Sequence, residues 1–169
     1  YSFDGQTGNV LPLEPFDAKP PHMFGPRHIA YHPDRPYVYF SNEQQLGVSA
    51  YRIEEDGQLA ALQHATTIPR RSPYTAGVRD MHASDVAVTG DGKFLFLALR
   101  DFVGDEDSVF MFRVVEDGRL SLVSRKRVGD IPWCLRVSPS DSHLLVSESR
   151  DKTLAVFPIH PDGSLGDAV

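Results

Sequence analysis

Apolar and polar positions follow one pattern three times along the chain, and the pattern is that of short strands joined by tight turns. Each repeat opens with an apolar run, a polar turn and a second run that is apolar on both faces, as in YVYF and FLFLAL. A third run, an Asp-Gly turn and a fourth run complete the repeat. Asp-Gly between apolar runs predicts a hairpin, because glycine readily takes the positive φ that such turns need. The three pairs are Asp56-Gly57, Asp117-Gly118 and Asp162-Gly163.

Four antiparallel strands in each repeat predict an all-β propeller in which each repeat is one blade. A β-sandwich also contains many short strands, but it would not repeat one strand–turn–strand formula three times. No segment sustains the 3.6-residue period of an amphipathic helix. We therefore expect about three and a half four-stranded antiparallel blades. The last two strands of one blade lie in residues 1–23, and further blades lie in 24–80, 81–130 and 131–169.

Composition and charge narrow the class of protein. With 169 residues, 41% of them hydrophobic, and a net charge of −6, the chain has the makeup of one soluble domain and lacks the basic surface that nucleic acid requires. Cys134 is the single cysteine, so an intrachain disulfide is excluded. No apolar run approaches the roughly 20 residues that cross a bilayer. We expect a cytoplasmic protein that binds neither nucleic acid nor membrane.

Polar residues stand at the ends of the predicted strands, where they share one edge of each sheet. The positions five or six before the first turn of a repeat, and ten after it, hold charged side chains in the first two repeats. In an antiparallel pair those positions lie on the same edge. We therefore expect a charged rim at one mouth of the central channel. Its members are Arg27, His28, Glu43, Asp85 and Arg100, with His82 just before its strand on the same face.

The same residues also allow purely structural roles. Glu43 could be a solvated loop carboxylate, and Arg100 could pair with Asp101 or Asp105 in a loop salt bridge. His28 could be a hydrogen-bonded histidine at a strand end, and His82 could be structural as well. His32 opens the turn HPDR, and we expect it to cap that turn.

No pattern indicates a metal or a cofactor. His28 and His32 look clustered, but in a strand they are about 13 Å apart and cannot grip one ion together. A divalent ion among the rim carboxylates stays an open alternative. The chain has no nucleophile elbow, no phosphate-binding glycine loop and no CxxC motif. We expect catalysis or binding by side chains alone.

The repeated segments also resemble one family. GPRHIAYHPDRPYVYFSNE, DGKFLFLALRD and VFMFRVVEDGRLSLV are similar to the seven-bladed propeller lactonases. That family includes the bacterial propeller-type 6-phosphogluconolactonases and the fungal carboxy-cis,cis-muconate lactonizing enzyme. The most specific element is Gly-Pro-Arg-His with Asn-Glu fifteen residues on. The resemblance runs through essentially the whole chain and implies that these blades belong to a seven-bladed ring.

The resemblance implies a lactone-processing enzyme that acts on an anionic small molecule. Hydrolysis of a sugar lactone such as 6-phosphogluconolactone is the leading reaction, with Glu43 or His28 as general base and arginines holding the anionic group. Cyclisation of carboxymuconate would use similar groups, and a propeller that binds a ligand without catalysis is a third alternative. The implied catalytic residues are Arg27, His28, Glu43 and Arg100, and the implied substrate-binding residues are His82, Asp85 and Arg79.

The chain differs from the family in one motif, and its strand pattern extends to both ends of the sequence. Where family members often have Ala-Glu-Ile-His before the turn, this chain has Asp85 in the place of the glutamate and no histidine after it. The strand pattern begins at Tyr1 and ends near Val169, and we expect both end strands to pair with the rest of a longer ring or with another protomer.

Overall fold

The computed structural model describes residues 1–12, 24–67 and 81–169, which form strands joined by turns and bends. Within these ranges there is no helix long and apolar enough to span a bilayer. The strands in chain order are β1 (Ser2–Phe3), β2 (Val10–Leu11), β3 (Pro26–Tyr31), β4 (Tyr37–Asn42), β5 (Gly47–Ile53), β6 (Leu59–Thr66), β7 (Met81–Val88), β8 (Phe94–Asp101), β9 (Ser108–Val114), β10 (Leu120–Arg127), β11 (Pro132–Val137), β12 (His143–Glu148) and β13 (Thr153–Pro158).

The strands form four separate sheets, and within each sheet consecutive strands pair antiparallel. β3 to β6 form one four-stranded sheet and β7 to β10 form a second, while β11 to β13 form a three-stranded sheet. β1 and β2 form a hairpin of their own. The expected fourth strand of the last blade is reduced to one antiparallel bridge between Ile159 and Leu165. The arrangement confirms a partial β-propeller.

The blades pack face to face through their second strands, as the two-sided apolar runs predicted. Every residue of β8 is buried. Leu95, Leu97 and Leu99 face the preceding blade and join one hydrophobic cluster, whereas Phe96 and Ala98 face the following blade and join another. Because successive side chains of a strand point to opposite faces, one strand serves two interfaces. Full burial of each such leucine contributes roughly 1.5–3 kcal/mol.

The Asp-Gly turns join neighbouring blades as well as neighbouring strands. Gly118 and Gly163 take positive φ values of 83° and 89°. A Cβ atom on Gly118 would lie 2.6 Å from the Tyr37 ring, and one on Gly163 would lie 2.3 Å from the Phe94 ring. Each turn therefore packs on an aromatic ring at the start of the second strand of the preceding blade.

The first turns of the blades also contact one another. Both carboxylate oxygens of Asp141 accept backbone N–H groups of the neighbouring turn, from Gly90 at 2.6 Å and Asp91 at 2.8 Å. His32 caps its own turn as expected, because its Nδ1 accepts the N–H groups of Asp34 and Arg35, each at 3.1 Å. These contacts fix the end of the blades opposite to the charged rim.

Position 163 requires glycine for two reasons: its φ is positive, and the Phe94 ring leaves no room for a Cβ atom. We expect Gly163→Ala to lower the free energy of unfolding by about 2–4 kcal/mol, from left-handed strain and overpacking together. Gly8 is a matched control, because its φ is 75° and no atom lies within 4 Å of its ideal Cβ position. Gly8→Ala should therefore lose only about 1 kcal/mol. Denaturant unfolding measures both; equal losses would contradict the packing role.

The His32 cap gives the fold a dependence on pH. Burial, followed by the charge of Arg35, lowers the pKa of His32 below its ordinary value of 6.5. The folded protein therefore binds this proton less readily than the unfolded chain, and the stabilisation present above pH 6.5 is lost as the pH falls below it. We expect melting curves between pH 8 and pH 5 to show a larger loss for the wild type than for His32→Gln. Parallel losses would contradict this assignment.

Candidate active site

A β-bulge interrupts the first strand of each complete or nearly complete blade at an equivalent position near the rim. Arg27 and His28 together oppose Ser41, Ser84 and Asp85 together oppose Ala98, and the pairing of β11 with β12 shifts at Trp133. A bulge bends its strand, redirects side chains and leaves a backbone group without its ladder partner. The bulges therefore determine which side chains reach the channel mouth.

Two arginines from different blades converge on one carboxylate. Glu43 Oε1 lies 2.5 Å from Arg100 Nη2 and 3.6 Å from Arg27 Nε. Arg27 also donates from Nη1 to the backbone oxygen of Ser84 at 3.1 Å. The Arg100 side chain is only 3% exposed, whereas that of Glu43 is 34% exposed. The result is a pair of fixed guanidinium groups with one shared counter-charge, open to solvent on the Glu43 side.

Aromatic rings enclose the two guanidinium groups. Arg100 Cζ lies 4.4 Å from the centre of the Trp133 ring and 5.3 Å from that of Phe102, and Arg27 Cζ lies 5.3 Å from Trp133. His82 meets the Phe102 ring edge-on, with centroids 5.8 Å apart. Burial lowers the pKa of Arg100 and the hydrogen bond to Glu43 opposes that shift. The cation–π contacts help to offset the burial of the charge.

A histidine–carboxylate contact lies beside this ion pair in the channel wall. His28 Nδ1 is 3.1 Å from Asp85 Oδ1. Asp85 is 2% exposed, and its other oxygen accepts the backbone N–H of Leu135 at 2.9 Å and lies 3.2 Å from Arg136 Nη1. The carboxylate of Asp85 thus joins three blades, and the half-exposed imidazole of His28 lies on its outer side.

The structure brings most of the expected rim together, and one member lies elsewhere. Ser84 and Asp85 oppose Ala98, two residues before Arg100, and the Cα partner of Arg100 is His82. Asp85 lies buried in the wall rather than at the open mouth. The structural alternative for Arg100 also fails, because its carboxylate partner is Glu43 rather than Asp101 or Asp105. Arg79 lies outside the described residues.

Sequence reasoning missed Trp133 and Phe102. Trp133 occupies the same place before its turn as Arg27 and Ser84 do before theirs, so the repeat itself placed it on the rim. Phe102 follows Arg100 by two residues and gave no distinct signal. Across the residues that the structure describes, no three His, Cys, Asp or Glu side chains are grouped so as to hold a metal ion.

Comparison with known proteins identifies the family. Residues 1–168 match the family described as Lactonase, 7-bladed beta-propeller. This chain belongs to that family. The match covers nearly all of the chain, including the residues of the channel mouth.

Individual relatives are longer than this chain. It is 27% identical over 146 residues to the 6-phosphogluconolactonase of Pectobacterium carotovorum subsp. carotovorum (strain PC1), covering 85% of this chain and 40% of that protein. The solved periplasmic gluconolactonase of Pseudomonas aeruginosa is 27% identical, with a TM-score of 0.77 and coverage of 88% and 40%. A solved protein from Lactobacillus plantarum, 22% identical with a TM-score of 0.74 over 85% and 40%, shares the fold. The chain thus spans about two fifths of the length of these relatives.

Removal of the charge of Glu43 tests whether the two arginines form an anion site. In Glu43→Gln the guanidinium groups lose their shared counter-ion, so we expect tighter binding of inorganic phosphate, by about 1 kcal/mol or roughly fivefold in Kd. Titration calorimetry on the wild type and the variant gives the two values.

Glu106→Gln is the matched control for this measurement. Glu106 also pairs with two arginines, Arg125 and Arg127, whose side chains are more than a third exposed. Solvent screens such exposed charges, so the affinity for phosphate should not change. An equal gain in both variants, or none in Glu43→Gln, would contradict the anion site.

Proposed function

We propose that the protein hydrolyses a sugar lactone that carries an anionic group, at the channel mouth formed by Arg27, Glu43, Arg100 and Trp133. The observation that carries the proposal is the convergence of two arginines from different blades on Glu43 Oε1. Membership of the lactonase family and the names of the two relatives, a 6-phosphogluconolactonase and a gluconolactonase, support the same chemistry.

Lactone hydrolysis needs a base, a site for negative charge and a way to hold the ring. Water adds to the ester carbonyl carbon while a base takes its proton, and the carbonyl oxygen becomes negative. The ring C–O bond then breaks, and the proton passes to the departing ring oxygen to give the hydroxy acid. Guanidinium groups held in place before the reaction stabilise the developing charge without reorganisation. Arg27 and Arg100 have that fixed geometry.

The same guanidinium groups suit a phosphate or a carboxylate on the substrate. Arginine presents a planar set of N–H donors that matches either anion, and it keeps its charge when buried. Glu43 balances one of the two charges in the empty site and stays 34% exposed, so an incoming anion reaches the pair from its side. His82 is proposed to support this site through Phe102 rather than by direct contact with substrate.

The proposal is tested with the whole protein on three substrates in parallel. These are 6-phosphogluconolactone, unphosphorylated gluconolactone and carboxymuconate. We expect hydrolysis of the phosphorylated lactone with the highest kcat/KM. Preference for gluconolactone, which carries no anionic group, would keep the reaction and contradict the anion-binding role of the arginines, whereas cyclisation of carboxymuconate alone, or inactivity on all three, would overturn the proposal.

Substitution of the buried arginine should change substrate binding specifically. Lysine cannot stack between Trp133 and Phe102 or present a planar fork, so Arg100→Lys should raise KM for the phosphorylated lactone by roughly tenfold. Arg113→Lys is the control, because Arg113 also stacks on a ring, that of Phe94 at 5.0 Å, but on an exposed part of the blade. An equal change in both variants would remove Arg100 from the site.

We also propose that the first complete blade is covered by the rest of a ring or by another protomer. Ala30 packs into the cluster shared with the second blade, so its neighbours Ile29 and Tyr31 point the other way. Those two side chains are 46% and 63% exposed. Relatives more than twice as long supply enough chain to bury this apolar face.

A further inference from the structure

We propose that Asp85 is a positioning residue that fixes His28 as the general base of the reaction. This inference rests on the proposed lactone hydrolysis and deepens it by choosing between the two candidate bases. It also gives Asp85 a role other than the substrate-binding one expected from sequence.

Three donors among the described residues hydrogen-bond to the Asp85 carboxylate. Oδ1 accepts the backbone N–H of Val86 at 2.9 Å, and Oδ2 accepts that of Leu135 at 2.9 Å. Arg136 adds a guanidinium N–H to Oδ2 at 3.2 Å. Two main-chain donors from different blades hold the carboxylate rigidly in the wall. A carboxylate with such partners has only acceptor capacity to offer.

This arrangement favours one tautomer of His28. Oδ1 is negative and can only accept, and Nδ1 of the imidazole lies 3.1 Å from it, so the tautomer with its hydrogen on Nδ1 is the one that this carboxylate stabilises. A neutral imidazole that carries its hydrogen on Nδ1 has an unprotonated Nε2. The side chain is 38% exposed, so Nε2 is the nitrogen that can accept a proton from water at the channel mouth. The backbone N–H of His28 donates to Ser41 Oγ at 3.0 Å, which anchors the bulge that carries the ring.

Glu43 is less suited to the same task. Its Oε1 faces both guanidinium groups, and those contacts hold the arginines in place for the substrate. Proton transfer to Glu43 would discharge the counter-ion of the anion site during the reaction. Proton transfer to His28 leaves that site unchanged and creates a cation next to Asp85, which the buried carboxylate stabilises.

Asp85 is also badly placed to bind substrate directly. It is 2% exposed, and its oxygens are occupied by protein donors. A carboxylate would repel the phosphate or carboxylate of the substrate. We therefore expect its effect on the reaction to pass through His28, the partner on the side of the mouth.

A double-mutant cycle on the whole protein tests the inference, with 6-phosphogluconolactone as substrate. We expect His28→Ala to lower kcat by roughly 100-fold or more with little change in KM, as loss of a general base does. Asp85→Asn should lower kcat at least about tenfold in the wild-type background. The amide can donate to Nδ1, which would favour the tautomer with hydrogen on Nε2 and remove the basic nitrogen from the mouth. In the His28→Ala background the same change should leave kcat unaltered, since residues that act through one another are not additive.

Asp107→Asn is the structural control. Asp107 is another buried carboxylate that ties the second blade to the third, through the N–H groups of Asp101 and Ile131, each at 3.0 Å. It contacts no histidine in the described part of the chain. Its substitution should change the melting temperature and leave kcat as it is. If Asp85→Asn behaves in the same way, or lowers kcat equally with and without His28, the inference is overturned. A Glu43→Gln variant that loses turnover while His28→Ala keeps it would overturn it as well.

Nitrogen NMR of the imidazole gives a readout that does not depend on turnover. We expect neutral His28 in the wild type to carry its hydrogen on Nδ1, and Asp85→Asn to lose that preference. An Nε2–H tautomer in the wild type overturns the inference whatever the activity. Inactivity of the wild type on lactones would instead count against the proposed function and the catalytic role, while the tautomer would still decide whether Asp85 positions the ring.

Discussion

The structure depends on the hydrogen bonds of one fully buried residue, Ser84, in the bulge of the middle blade. Its backbone oxygen accepts Arg27 Nη1 and Ser41 Oγ from the preceding blade, both at 3.1 Å. Its hydroxyl donates to the backbone oxygen of Pro132 in the following blade at 2.6 Å. A buried carbonyl that the bulge removes from the ladder must find other donors. One of those donors is Arg27, so the hydrogen bond that joins two blades also orients an arginine of the channel mouth.

Contacts between blades also explain how an arginine, Arg100, can lie near the end of β8, which is buried along its whole length. Burial of a lone guanidinium is unfavourable, and the pKa of Arg100 is lowered for that reason. Glu43 from the preceding blade supplies the counter-charge, and Trp133 from the following blade supplies a ring face. Each blade alone would hold an incomplete site, so packing of the blades and formation of the site are one event. Loss of a contact between blades should therefore also change the positions of the side chains at the channel mouth.

The sequence predicted those features that local chemistry determines. Asp-Gly turns, two-sided apolar runs and the His32 cap are each set by a few neighbouring residues, and the structure has all of them. The rim was found because the repeat brings strand ends to one edge. The bulges were not predicted, because an extra residue in a strand leaves the apolar pattern on either side of it intact. Contacts between blades were not predicted either. His28 and Asp85, for example, are 57 residues apart along the chain, and no single blade contains both.

The charge of the site is opposite in sign to that of the chain, and this difference has a physical consequence. The whole chain carries a net charge of −6, so its long-range field does not attract an anion. At the mouth, two guanidinium groups face one carboxylate in a wall of low dielectric, and their field is concentrated there. Recognition of any anion at this mouth must then arise at contact distance, from oriented N–H donors rather than from long-range attraction. A site of this kind discriminates between small anions by shape and donor geometry rather than by net charge, because the donors are fixed before the anion arrives.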